Sequence, residues 1–346
     1  MQIVSRIIGA CLLVALLKLP LYASTTGNLV ANGDFETLDA GGQPVGWTWT
    51  PQNTDATCVV DPAIAHGGKS SIRIKRGTAF TQNLYATLEG KPISLVPGQQ
   101  YSMSVWVRYA ANRQATLSSM SIMSGDNGRI RVPLQLGKQN EWFRVVVTFT
   151  AGEQEKTFTP RFIIDYPVYM IWLDDVQITP GMEDLQTPNP LSWRWALSGP
   201  AQASFQLDSQ MKHSGKYAVC LKNETPLIAN VFGRLISSRI TLKAGIPYTL
   251  LAWVKSDDPA KAQFACGSKW QFRCNIPATG DEWKMVTMTF VPEEADTNFE
   301  LYLITAGISS GVWYDDMMLV AGSVPDPSLP NLLPNGTFDE IYGLGN

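Results

Sequence analysis

The chain repeats itself in order, and that restricts its fold more than any single motif. His66-Gly67-Gly68-Lys69-Ser70 returns as His213-Ser214-Gly215-Lys216-Tyr217, and Trp47-Thr48-Trp49 returns as Trp193-Arg194-Trp195. Trp106-Val107-Arg108 returns as Trp253-Val254-Lys255, Glu141-Trp142 as Glu282-Trp283, and Trp172-Leu173-Asp174-Asp175 as Trp313-Tyr314-Asp315-Asp316. A further motif, Asn28-Leu29-Val30-Ala31-Asn32-Gly33-Asp34-Phe35-Glu36, reappears only near the end, as Asn331 to Asp339. The repeating unit is about 145 residues, the size of one domain. The sequence therefore divides into a leader at 1–23, a first unit at 24–180 and a second at 181–323. The last stretch, 324–346, reads as a Pro-rich linker and the first strand of a truncated third unit.

Each unit has the period of strands. Tyr101, Met103, Val105 and Val107 alternate with Ser102, Ser104, Trp106 and Arg108, and Phe143, Val145, Val147 and Phe149 with Arg144, Val146 and Thr148. Gly125-Asp126-Asn127-Gly128 is a hairpin signal. No window past the leader sustains a helical period. The expected fold is all-β, two tandem β-sandwiches of the jelly-roll kind. Charged residues make up 16% of the chain and the formal net charge is −3. That balance excludes a nucleic-acid partner, which would need a basic surplus. Two histidines leave little room for histidine-based catalysis or zinc.

Ile7 to Leu17 is an apolar run too short to span a bilayer, ended by Lys18 and Pro20, with Ala23 as a small residue for cleavage. It reads as a signal peptide, with a secreted or periplasmic product and no other contact with membrane. Without Cys11, four cysteines remain, which allow three pairings. A hairpin centred on Trp270 would set Cys266 opposite Cys274, so a disulfide between them is expected, with Cys58 and Cys220 unpaired.

The ordered set of NLVANGDFE, Gly46-Trp47, HGGKSS, the Gly98-x-x-Tyr101 strand and Trp-Leu-Asp-Asp-Val resembles carbohydrate-binding modules of the family 4, 9, 16 and 22 group, called cenC-like. The resemblance covers 28–180 almost throughout and 183–322 with gaps, and restarts at 331. It implies a galactose-binding-like jelly roll that binds polysaccharide without cleaving it, and a structural calcium. By the same resemblance, Glu36, the Lys69 carbonyl and Asp174 or Asp175 would hold calcium in the first unit. In the second, Asp315 and Asp316 remain, but the NGDFE motif is missing from its start.

Sugar rings stack on flat aromatic faces while neighbouring polar groups take the hydroxyls. The candidates are Trp49, Tyr85, Trp106, Arg108 and Tyr109 in the first unit and Trp195, Trp253, Lys255, Trp270 and Phe272 in the second. Catalysis is not expected: glycoside hydrolysis needs two carboxylates on one cleft, and adjacent strand residues such as Asp174 and Asp175 point to opposite faces. The reading is thus non-catalytic binding of extracellular polysaccharide, with an attached catalytic domain of a larger glycan-degrading enzyme beyond residue 346. The alternative is a cell-surface adhesion or matrix protein built from the same sandwiches.

Overall fold

The computed structural model describes residues 27–345 apart from 53, 76–84, 111–119, 125–129, 131, 133–136, 165–169, 257–261 and 268. The leader and the 125–128 turn lie outside these residues. The described residues contain no helix, and their strands form two sandwiches. In the first unit a four-stranded front sheet orders Trp47–Gln52, Tyr85–Gly90, Pro160–Ile164 and Met120–Ser124. In the second, a five-stranded front sheet orders Trp193–Ser198, Phe232–Ser237, Leu301–Thr305, Ala262–Cys266 and Phe272–Asn275. Behind each lies a back sheet built round a long central strand, Gln100–Ala110 or Tyr248–Ser256. The alternation falls where the sequence places it: Tyr101, Met103, Val105, Val107, Val145, Val147 and Phe149 all enter the first core.

The repeat also tells where the second unit finds its missing motif. Asn331 to Asp339 does not start a third sandwich; it completes the second. Phe338 is fully buried in the second core as Phe35 is in the first. Trp193 Nε1 donates to the Asn335 carbonyl at 3.1 Å, as Trp47 Nε1 does to Asn32 at 2.9 Å. Gly336 lies against the Met317 carbonyl as Gly33 lies against that of Val176, so close that a Cβ would sit 2.0 Å from the oxygen in either case. Asp339 accepts the Lys216 and Tyr217 amides, as Glu36 accepts those of Lys69 and Ser70. The second unit is the first with its opening segment moved to the end, so the repeat no longer argues for further units.

The same segment clasps the first unit. Ile341–Leu344 pairs with Phe143–Thr150, extending the first back sheet, and Asn189–Pro190 pairs with it in turn. Val146, Leu185, Tyr217 and Ile341 form a small apolar cluster between the units. Ser102 and Ser104, polar positions of an exposed-looking face, are buried here. Ser102 accepts the Glu183 amide and donates to the Gly181 carbonyl, and Arg144 pairs with Glu183 across Ser104. The connection at 181–190 is therefore packed structure, not a free linker.

The expected Cys266–Cys274 disulfide is absent. Cys266 faces Phe272 and Cys274 faces Phe264, one diagonal step apart, and all four cysteines in the described residues are free thiols. The cause is the turn: Gly267 and Trp270 both hold positive φ, with the Trp270 amide on the Gly267 carbonyl at 3.0 Å. That closure shifts the register by two residues from a hairpin centred on Trp270.

Candidate functional site

The outward side of the second front sheet carries an open cleft of about 530 Å³, lined by Phe232, Gln263, Lys269, Trp270, Arg273 and Ile304 among others. Period-2 alternation puts Phe232, Arg234, Tyr302, Ile304 and Arg273 on this side and Leu235, Leu303 and Phe264 in the core. The Trp270 ring lies 5.5 Å from Phe232 and 5.0 Å from Tyr302. Arg234 sits within 6 Å of all three rings. Arg273 lies 5.8 Å from the Trp270 ring and donates from Nε to the Trp270 carbonyl. Trp270 itself adopts φ +53°, unusual for a bulky residue, so the turn holds an aromatic in a conformation that glycine would adopt more easily. Aromatic rings beside fixed hydrogen-bond donors are the elements that take a pyranose face and its hydroxyls.

The first front sheet has the same frame. Pairing of Trp47 with Gly90 and of Trp193 with Ser237 makes Tyr85 the counterpart of Phe232, Thr87 of Arg234 and Glu89 of Ile236. Arg161, opposite Glu89, is the counterpart of Tyr302, opposite Ile236. Tyr85 is 37% exposed, and Arg161 and Glu89 form an ion pair at 2.6 Å. Of the ten sugar-binding candidates, Trp270 and Tyr85 stand on these outward sides.

The other eight do not. Trp49 packs on the first core, and Trp195 packs on Phe205 and over Gly233, where a Cβ would meet its ring at 2.6 Å. Phe272 stacks on Phe290 at 4.6 Å, facing inward. Tyr109 is 4% exposed and donates its hydroxyl to the Gly137 carbonyl. Trp106, Arg108, Trp253 and Lys255 lie on the back sheets. Trp106 is covered by His66, ring to ring at 3.7 Å, and Trp253 by His213 at 4.0 Å. Their faces are thus occupied. Arg108 lies 5.9 Å from the Trp172 ring, and Lys255 faces Trp313. The sequence reading missed Phe232, Arg234, Tyr302 and Arg273. The spacing of 147 between Tyr85 and Phe232, read through the repeat, was the available signal.

The Asp pairs depart from the expected alternation. A register shift between Asp174 and Gln177, with Asp175 at φ +49°, bulges the strand. Both carboxylates then reach one turn: Asp174 accepts the His66 and Gly67 amides, and Asp175 pairs with His66 Nδ1 at 2.7 Å. Asp315, Asp316 and His213 repeat this arrangement. Burial pushes Asp174 and Asp315 up to about 6, against the amide bonds that pull them down. Glu36 is held below its ordinary value, chiefly by the Lys69 amide.

As a calcium cage the donor set fits poorly. Asp174 Oδ2, Asp175 Oδ2 and Glu36 Oε1 are each taken by N–H groups, and Lys69 presents its amide rather than its carbonyl to Glu36. No group of three or more acidic, His or Cys side chains among the described residues is placed to hold a metal ion.

Residues 27–167 match the family model of a carbohydrate binding domain covering families 4 and 9. No curated protein matches the chain. Among solved structures, the chain is similar to the N-terminal CBM22-1–CBM22-2 tandem of Paenibacillus barcinonensis Xyn10C, at 12% identity and TM-score 0.33, covering 87% of this chain and 99% of that one. It is similar to the CBM22-1 xylan-binding domain of the same protein at 15% identity and TM-score 0.31, over 47% of this chain and 100% of that one. The C-terminal family 22 module of Clostridium thermocellum Xyn10B gives 16% identity and TM-score 0.28, over 43% and 100%. These likenesses are low and carry no argument; what stands is the match of residues 27–167 to the carbohydrate binding domain model.

Proposed function

We propose that the chain is exported through residues 1–23 and binds extracellular polysaccharide on its front sheets without cleaving it. One observation carries this reading: Trp270, Phe232 and Tyr302 gather on the outward side of a front sheet, beside arginine donors, on a scaffold whose first copy matches a carbohydrate binding domain. Trp270→Ala should weaken binding by about 1–3 kcal/mol, a single stacked ring, with little change in melting because the ring lies outside the core. Affinity electrophoresis of the mature chain in gels of xylan, β-glucan, mannan, galactan and polyuronate tests this. A folded protein that no gel retards would end the proposal and favour an adhesion or matrix role; release of reducing sugar would end its non-catalytic half. Calcium at Glu36 and Asp174 or Asp175 belongs to the same proposal and would have to displace the N–H groups those carboxylates now accept. A higher melting temperature on adding calcium to chelated protein, lost in Glu36→Ala, would support it.

A further inference from the structure

The cleft on the second unit is cationic, although the chain as a whole carries a formal charge of −3. Lys269 and Arg273 line it, Arg234 packs against the Phe232, Trp270 and Tyr302 rings beside it, and none of its lining residues is acidic. Glu300, just before the Leu301–Thr305 strand, is already engaged. It lies 3.2 Å from Arg194 and 4.0 Å from Arg239, and accepts the Tyr302 hydroxyl at 2.8 Å. No carboxylate among the described residues pairs with Lys269, Arg234 or Arg273 at ion-pair distance. Arg234 Nε is buried without a hydrogen-bond partner among the described residues, which leaves the outer guanidinium nitrogens as the ones a ligand could meet.

The first unit shows that the frame does not require this. At the position of Arg234 it has Thr87, and in place of Ile236 and Tyr302 it has Glu89 and Arg161, which neutralise each other. Among the described residues, the first front sheet thus carries no net charge at these positions.

Neutral sugars need donors and acceptors together. The amides of Asn230 and Gln263 supply both; what the lining adds is a guanidinium and an ammonium with no carboxylate to balance them, which suits a ligand that brings its own negative charge. The planar Arg234 is held by the rings on which sugars would stack, and Arg273 is fixed by the Trp270 carbonyl. Both present charge at set positions beside a stacking surface. We propose that the second cleft selects acidic polysaccharide, with a carboxylate or sulfate of the polymer seated between Arg234, Arg273 and Lys269 and an adjacent ring on Trp270. This rests on the reading that the cleft binds polysaccharide at all.

Binding of the mature chain is measured against two carboxylated polymers (polygalacturonate and alginate), a sulfated galactan, and neutral xylan free of glucuronic acid, β-glucan and mannan. The expected result is retention on an acidic polymer at least about tenfold tighter than on any neutral one, weakening as salt screens the charges. Whether the carboxylated or the sulfated polymers are retained identifies the acidic group. Arg273→Gln and Lys269→Gln, both exposed, should each lose about tenfold on the acidic polymer, the size of one charge-assisted hydrogen bond, at unchanged melting temperature. Lys243→Gln, exposed and outside the cleft, should leave binding unchanged. Equal or tighter binding of neutral polymers would overturn the proposal while leaving polysaccharide binding intact. So would an equal loss in Lys243→Gln, which would mean general attraction to polyanions. Binding to none of the polymers would bring down both this proposal and the function on which it rests.

Discussion

The two front sheets share a frame and differ in almost every outward side chain. Tyr85, Thr87, Glu89 and Arg161 of the first stand where Phe232, Arg234, Ile236 and Tyr302 stand in the second. The inward residues differ little in kind: Leu88 and Phe162 against Leu235 and Leu303, all buried. The fold constrains one side of each strand to be apolar and of matched volume, and leaves the other side free to vary. The repeat is thus a record of the core, and the two copies diverge on the sides that a partner could reach.

The largest effect should come from the segment that the units use differently. Phe338→Ala removes a fully buried ring from the second core and should cost about 3–5 kcal/mol, as Phe35→Ala should in the first. Calorimetry checks this; a second unit indifferent to Phe338 would mean that the C-terminal segment does not complete it. Next, the two faces are set against each other. Trp270→Ala should cost about 1–3 kcal/mol of polysaccharide binding, while Tyr85→Ala, with no ring packed on it among the described residues, should cost less than about 1 kcal/mol. Equal losses in titration calorimetry would show that the first face is as well equipped as the second.

The buried aspartates should behave alike in both units. With folded values near 6 against an ordinary 3.8, Asp174 and Asp315 bind protons more readily in the folded than in the unfolded chain. Stability should therefore fall as pH rises through that window, by about 1 kcal/mol per site between pH 5 and 7 in chelator. Denaturant midpoints at both pH values, repeated in Asp174→Asn and Asp315→Asn, would show whether each unit supplies its share. A slope of opposite sign counts against the burial described. The smallest effect concerns the Glu89–Arg161 pair, half-exposed on the first face. Glu89→Gln should cost less than about 1 kcal/mol by thermal melting, as surface pairs do.

Much of the fold was legible because it lies in periodicity. Tyr101 to Val107 and Phe143 to Phe149 turn the faces the alternation predicts, and the ordered tryptophans place both sandwiches. What was not legible depends on partners far off in sequence or on local backbone. No pattern around Asn331 says that its segment belongs to the unit behind it. The bulge at Asp175 and the positive φ at Trp270 each break a period of two, and with it the expected carboxylate directions and disulfide register. Trp106 and Trp253 alternate as exposed residues should, yet histidines from distant turns cover them. Only Trp270 and Tyr85 among the sugar-binding candidates reached the outward faces, because aromatic identity alone does not reveal what lies on top of a ring.

A strand that begins in one core and ends in the neighbouring sheet also fixes geometry. Phe338 is anchored in the second unit and Ile341–Leu344 is hydrogen-bonded to the first, with only two residues between them. Two faces joined by a flexible tether sample many separations, and the second contact on one polymer is then diluted by the tether's freedom. Here the spacing is set in advance. A chain stiff enough to match it would gain both contacts with little loss of freedom in the protein, and one with a different repeat length would reach only one face at a time. The clasp would then act as a ruler as well as a fastening.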